Sequence, residues 1–195
     1  MEFAARKIAA YIERNKECSA DERVIYEYGI QTGLEMLTCA FVAMGIAAIL
    51  DMLPQGIAFL GIFILLRSYA GGVHLQNFFS CFFCSAFVQT GILLFARYIQ
   101  LSLKISWCVM ILGIALLLCI SPVDHINRIL TRNEKKYCRR KLILIVLGIV
   151  VISGILSITG NRHFLSLISD TVTVVAISAA IGKIKFYMDK KRQEH

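Results

Sequence analysis

The chain has 195 residues, of which 57% are apolar and only 17% are charged, and its net charge is +8. Together with a mean hydropathy of +0.69, this composition lies outside the range of soluble globular domains and is typical of a multi-spanning membrane protein. Because the positive charges flank apolar runs and lack interleaved aromatic residues, we expect no nucleic-acid partner.

The first 28 residues are too highly charged for a cleavable signal peptide, since they carry five basic and six acidic side chains. Ala4, Ile8, Tyr11 and Ile12 recur at helical spacing, which predicts an amphipathic helix lying on membrane lipid at the interface. The sequence is therefore interpreted as one membrane-embedded domain over residues 1–195, with an interfacial helix and lead-in (1–28), a transmembrane bundle (29–182) and a basic cytoplasmic tail (183–195).

Six apolar runs predict six membrane-spanning helices, so the expected fold class is an all-α integral membrane protein. The runs lie near Ile30–Leu50, Pro54–Leu66, Phe78–Ile99, Ile105–Ile120, Leu142–Gly160 and Phe164–Gly182. The second run is short, because 13 residues reach only about 20 Å as a helix. We expect this helix either to tilt or to stop inside the membrane, which would leave the residues after Leu66 recessed.

Lysine and arginine are unevenly distributed between the two sides of the predicted bundle. If the N-terminus is inside, then of 21 Lys and Arg residues only Arg97, Lys104 and Arg162 fall outside. The positive-inside rule therefore predicts that both termini, and the segment that follows the second helix, face the cytoplasm.

A polar, glycine-broken stretch separates the second and third apolar runs, and it contains His74 and Cys81. A thiol is a useful nucleophile only as its thiolate, and a nearby imidazole can accept the thiol proton. We therefore interpret Cys81 as a catalytic nucleophile and His74 as its general base.

A straight helix would hold these two side chains about 10 Å apart, beyond hydrogen-bonding reach. The pair Gly71-Gly72 is predicted to bend the chain, since glycine readily adopts positive φ. Asn77 is a suitable N-cap and would place Cys81 in the first turn of the third helix, where the helix dipole favours a thiolate. Cys84, one turn deeper among phenylalanines, is interpreted as a buried packing residue.

The seven cysteines do not indicate disulfides or a metal site. Their number is odd, and most lie in spans or on the predicted cytoplasmic side, where thiols stay reduced. Cys81 and Cys84 form a C-x-x-C pair without a matching second pair. No metal and no cofactor are predicted.

The pattern Arg-x-x-x-Gly-Gly-x-His, followed by six residues and a cysteine, occupies residues 67–81. In a basic six-span protein this pattern resembles the AgrB family, membrane-embedded cysteine endopeptidases of bacterial quorum sensing. The segment Tyr28-Gly29-Ile30 and the residues around Pro122 to Asn127 are also similar to that family, so the resemblance extends over most of the chain.

The resemblance implies an enzyme that cuts the C-terminal tail from a small, AgrD-like pheromone precursor and promotes its cyclisation to a thiolactone or lactone. In this chain it makes Cys81 the nucleophile, which carries the peptide as a thioester, and His74 the general base and later the general acid. Arg67, Gly71 and Gly72 take supporting positions.

The family's precursors carry an acidic tail, which the basic cytoplasmic loop would attract. Its candidate residues are Lys135, Lys136, Arg139 and Arg140. Topology alone also requires positive charge on this side, so both interpretations stay open here. Family analogy is compatible with a homodimer.

Two acidic residues, Glu35 and Asp170, fall within predicted spans, where an ionised side chain costs about 2.5 to 3.5 kcal/mol. We expect each to face protein or water, either paired with Tyr28 or Arg67 or orienting His74. His163, at a span end, is expected to be solvated, as is His125.

Two other classes of function are compatible with parts of the sequence. A small transporter or exporter would use Glu35 and Asp170 as a proton or cation path, with the cysteines incidental. A non-catalytic scaffold would recruit a partner through its amphipathic N-terminus. Substitution of Cys81 separates both from a peptidase.

Overall fold

A computed structural model describes residues 7, 8, 10, 20–72, 78–99, 101–123 and 131–193. Within these ranges all regular structure is helical, and the six long helices are α1 (Ala20–Ile49), α2 (Leu53–Ala70), α3 (Phe78–Tyr98), α4 (Leu103–Ile120), α5 (Arg132–Ile158) and α6 (Arg162–Gln193). Five of them are long and apolar enough to cross a membrane, and α3 contributes the shorter apolar stretch Phe82–Tyr98. The predicted all-α membrane bundle is confirmed.

The helix ends differ from the predicted spans at two places. The prediction that the second helix ends at Leu66 is wrong, because α2 continues to Ala70 and its 18 residues extend about 27 Å. Hydropathy falls at Arg67, but the backbone stays helical until the glycine pair. At the N-terminal side, α1 begins at Ala20, so residues 20–28 are part of the first long helix rather than a separate lead-in.

The predicted interfacial helix over Ala4 to Ile12 lies outside the described residues, except for Lys7, Ile8 and Ala10. Ile8 is exposed. The interfacial position of this segment therefore stays a prediction.

Local signals explain where two of the helices begin. The Ser102 hydroxyl accepts a hydrogen bond from the Ile105 amide at the start of α4. Thr131 and Glu134 form a capping box at the start of α5, in which each side chain accepts a hydrogen bond from the other residue's amide. Such caps satisfy amide groups that have no partner within the helix.

Helix α6 lies at the centre of the bundle and packs mainly against α4 and α2. Its buried apolar side chains are Leu165, Leu167, Ile168, Val172, Val175, Ala176 and Ala179. The approach of α4 is close at Gly113, where an added Cβ would lie 3.1 Å from the Thr173 Oγ1 atom. The bundle surface, by contrast, exposes large apolar side chains such as Phe41 and Phe87, as expected for a lipid-facing surface.

Successive helices run in opposite directions, so the bundle has two ends. We call one the short-loop end, formed by residues 50–52, 99, 101–102 and 159–161, where the Arg97 guanidinium donates to the Leu50 carbonyl at 2.8 Å. We call the other the motif end, to which the described residues 71–72, 121–123 and 131 belong. There the Val123 amide donates to the Ala70 carbonyl at 3.0 Å. Helices α2, α4 and α6 therefore run in the same direction.

Candidate functional site

Arg67 lies in the last turn of α2, close to the glycine pair. Its guanidinium carbon is 5.5 Å from the centre of the Phe63 ring, within the range of a cation–π interaction. A Cβ added at Gly72 would lie 3.7 Å from the Arg67 Nε atom. The arginine side chain is therefore positioned between the aromatic ring and the beginning of the segment that contains His74.

Gly71 ends α2 with φ 80° and ψ −171°, and its amide donates to the Arg67 carbonyl at 3.1 Å. Residues with a Cβ atom rarely adopt this conformation. The predicted bend with positive φ is thus confirmed at Gly71. An added Cβ there would also lie 2.9 Å from the Val123 carbonyl oxygen, so this glycine is required for close approach as well.

Two other chain segments hold the glycine pair in place. Val123, just after α4, is bonded to the end of α2 through its amide. On α6, the Ser178 Oγ atom would lie 3.1 Å from a Cβ added at Gly72. Nothing in the sequence indicated a role for Val123 or Ser178. Val123 acts through a backbone hydrogen bond and Ser178 through packing, and each is more than 50 residues away in sequence from the glycine pair.

Cys81 is the fourth residue of α3, which begins at Phe78. It therefore lies in the first turn, as predicted, where amide groups have no partner within the helix. The side chain of Cys81 and residues 73–77, including His74 and Asn77, lie outside the described part of the chain. The His74–Cys81 pair accordingly stays a prediction.

Cys84 is a free thiol on the exposed surface of α3. The expectation that it is buried among phenylalanines is wrong: Phe82 and Phe83 pack edge to face with ring centres 5.5 Å apart, and Phe83 is itself exposed. The sequence run alone did not indicate which face of α3 is turned to lipid.

The predicted basic loop is helical, because the capping box at Thr131 starts α5 before it. The four candidate residues lie in the first three turns of this helix: Lys135, Lys136, Arg139 and Arg140. All but Lys135 have exposed side chains. Tyr137, in the same turns, places its ring 6.5 Å from the ring of Tyr69 in α2. The basic surface is therefore next to the end of α2 and the glycine pair.

A groove lies at the motif end between the ends of α4 and α6. It is lined by Ile120, Pro122, Val123, Lys183, Phe186 and Tyr187. Since Val123 also contacts Gly71, the groove begins directly beside the glycine turn. Its lining is apolar and aromatic apart from one lysine.

The intramembrane acids have different surroundings. The Gln31 side chain, one turn away, donates to the Glu35 carboxylate at 3.1 Å. The Asp170 Oδ2 atom is buried and has no hydrogen-bond partner among the described residues. His163 is half-buried, and its Nδ1 atom is buried without a hydrogen-bond partner among the described residues, so the prediction that this side chain is solvated is wrong for that atom. His125 lies outside the described residues.

Across the described ranges, no group of three or more His, Cys, Asp or Glu residues is arranged to hold a metal ion. The features that converge at the motif end are a glycine turn, an adjacent arginine, a cysteine-bearing helix start, a basic helix face and a groove. They define a helical, multi-spanning membrane protein with a candidate functional site at one end.

The family model for accessory gene regulator B, AgrB, matches residues 5–181, and the chain belongs to the AgrB family. Membership supports a role in accessory gene regulator peptide processing, with a precursor peptide as substrate. Searches of curated proteins and of solved structures each gave no match.

Proposed function

We propose that the protein is a membrane cysteine endopeptidase that removes the C-terminal tail of a small pheromone precursor and promotes cyclisation of the remaining peptide. The observation that carries this proposal is the position of Cys81 in the first turn of α3, directly after a segment that leaves the fixed glycine turn and contains His74.

In the proposed reaction, His74 accepts the thiol proton of Cys81, and the thiolate sulfur attacks the carbonyl carbon of the scissile bond. The carbon–nitrogen bond breaks, the leaving amine takes the proton from His74, and the upstream peptide remains as a thioester on Cys81. A cysteine thiol or serine hydroxyl of the precursor then attacks the thioester carbon while His74 accepts its proton. The bond between that carbon and the Cys81 sulfur breaks, Cys81 leaves as a thiolate, and a thiolactone or lactone forms.

The surroundings of the glycine turn support this arrangement. His74 follows Gly72 by two residues, a separation that an extended chain spans in about 7 Å. Because Gly72 lies against α6 and Arg67, we expect this reach to keep the imidazole near the motif end. The amides in the first turn of α3 are suitably placed to stabilise an oxyanion formed by attack of Cys81.

A membrane position suits cyclisation better than hydrolysis. Water competes with the precursor nucleophile for the thioester, and a site beside the apolar bundle contains less water than bulk solvent. The groove that begins at Val123 supplies an apolar surface for the peptide. We place the motif end at the cytoplasmic face, as the distribution of Lys and Arg predicts.

The proposal is tested by capturing the acyl-enzyme. The full-length protein is co-expressed with a candidate precursor encoded beside it, and the purified protein is analysed by intact mass and peptide mapping. We expect a mass increase that equals the upstream peptide, located on Cys81 and released by hydroxylamine. Cleavage of the precursor without any adduct on Cys81, in a protein that processes at the normal rate, would contradict the proposal.

The basic surface of α5 is proposed to bind the acidic tail of the precursor. Changing Lys136 and Arg140 together to Glu is expected to raise KM by about tenfold with little change in kcat, because a remote charge contributes equally to substrate and transition state. Changing Lys104 and Arg162 to Glu, which are exposed at the short-loop end, is the matched control for net charge. Equal KM values in the two double variants would contradict this role.

Changing Arg67 to Lys is expected to reduce kcat/KM for processing by about 10- to 100-fold, although the charge is kept. An ammonium group cannot stack flat on Phe63 and contact the Gly72 region in the geometry of a guanidinium. Steady-state cleavage assays on membrane vesicles with equal protein levels measure the effect. Wild-type kinetics in the Lys variant would show that charge alone is sufficient at this position.

A further inference from the structure

A polar stripe runs along α6 in the half of the bundle that lies toward the short-loop end. His163, Ser166, Asp170 and Thr173 are separated by three, four and three residues, the spacing that places side chains on one helix face. This face is turned toward α4, because Thr173 lies against Gly113. The Asp170 carboxyl of α6 is thus turned toward the protein interior, where its Oδ2 atom is buried.

The facing surface of α4 contains a buried serine at the matching depth. Ser106 precedes Gly113 by seven residues, and Ser166 precedes Thr173 by the same number. Since α4 and α6 run in the same direction, both hydroxyls lie about 10 Å beyond the Gly113–Thr173 contact. Each of these serines is only 1% exposed.

Helix α5 supplies a third wall. The Ser157 hydroxyl accepts a hydrogen bond from the Trp107 indole at 2.9 Å, which joins α5 to α4 beside Ser106. Ser153, one turn away on the buried face of α5, is 0% exposed. We call these buried polar positions of α4, α5 and α6 the polar seam.

Several polar atoms in the polar seam have no hydrogen-bond partner within the described part of the chain. They are Ser106 Oγ, Ser153 Oγ, Ser166 Oγ, His163 Nδ1 and Asp170 Oδ2. Neighbouring hydroxyls behave differently, since those of Ser157, Ser169 and Thr173 each donate to a carbonyl of their own helix. A buried polar atom without a partner costs about 1 to 3 kcal/mol, so a ligand that engages these atoms would be stabilising. Ser166 also lies close enough to the Asp170 carboxyl to interact with it.

We propose that the polar seam binds a monovalent cation, Na⁺, beside the Asp170 carboxylate. Hydroxyl and carboxylate oxygens are the ligands that hard cations prefer. One carboxylate balances one positive charge, whereas a divalent ion would leave an excess charge in the membrane. Binding would neutralise the charge of Asp170, and the oxygen atoms of the serine hydroxyls would coordinate the ion.

The test is a comparison of thermal unfolding of the full-length protein in NaCl and in choline chloride at equal ionic strength. At a sodium concentration about ten times the dissociation constant, we expect the melting temperature to rise by about 3 to 6 °C. Asp170→Asn should remove the sodium-dependent rise. Glu35→Gln, which changes an intramembrane carboxylate on α1, should keep it.

A second variant covers the case in which Asp170→Asn does not fold. Ser153→Ala removes one hydroxyl from a tightly packed position and is expected to weaken the apparent sodium affinity by about tenfold. Identical melting of the wild-type protein in the two salts would overturn the proposal and indicate that the seam holds water only. A sodium-dependent rise that persists in Asp170→Asn would equally overturn it. Because the readout is stability, failure of the proposed peptidase activity does not affect this test.

Discussion

Changing Cys81 to Ala is expected to abolish precursor processing, with a loss of about 10³-fold or more in kcat. The same loss is expected for His74→Ala, because a nucleophile and its general base act as one unit and removal of either stops thioester formation. The double variant should therefore be no worse than either single variant. Rates of precursor cleavage, normalised to the amount of membrane-inserted protein, measure all three.

The matched control for this experiment is Cys84→Ala. Cys84 lies on the same helix, one turn beyond Cys81, and its thiol is exposed on the bundle surface. Its loss should leave most of the activity, because no described contact links it to the glycine turn. Normal cleavage by Cys81→Ala would show that the nucleophile is another residue. If Cys84→Ala were inactive while Cys81→Ala stayed active, the nucleophile would be Cys84.

Changing Gly71 to Ala is expected to reduce processing by about 10²-fold and to destabilise the protein by about 1 to 3 kcal/mol. Two independent constraints act at this residue. Its φ of 80° is unfavourable for alanine, and the new methyl carbon would lie 2.9 Å from the Val123 carbonyl oxygen. Relief of the clash must shift the turn, and with it the segment that contains His74.

The control is Gly61→Ala in the same helix. Apart from the backbone of its own helix and its chain neighbours, no described atom lies within 4 Å of a Cβ added at Gly61, and alanine favours helix by about 1 kcal/mol over glycine. This variant should be as stable as the wild type, or more so, and fully active. Thermal unfolding in detergent together with cleavage assays separates the two variants. Equal behaviour of Gly71→Ala and Gly61→Ala would mean that the turn geometry does not matter for processing.

Part of the candidate site follows from sequence because it depends on local chemistry. Only glycine readily adopts the backbone angles of a tight turn, so Gly71-Gly72 predicted the bend, and the structure has positive φ at Gly71. The start of α3 near Cys81 was likewise predictable, since a polar segment precedes a long apolar run. The contact between His74 and Cys81 stays a prediction.

Helix ends were harder to predict because hydropathy and helicity are different properties. Apolar side chains end at Leu66, yet hydrogen bonding within the backbone continues to Ala70, since Arg67 and Tyr69 are compatible with helix. The basic segment after Thr131 shows the same difference between hydropathy and helicity. Its charge predicted a loop outside the membrane, but the capping box at Thr131 starts a helix before the apolar residues of α5 begin.

The sequence by itself therefore determined the class of the protein, its apolar spans, the glycine turn and the family to which it belongs. Only the tertiary structure decided that Val123 and Ser178 lie against that turn, and that polar atoms of Asp170, Ser106 and Ser153 are buried within the bundle. These contacts depend on which helices are neighbours and on how each is rotated. In a bundle whose helices are apolar on most sides, close packing at small residues such as Gly113 sets that rotation, and hydrophobic periodicity does not encode it.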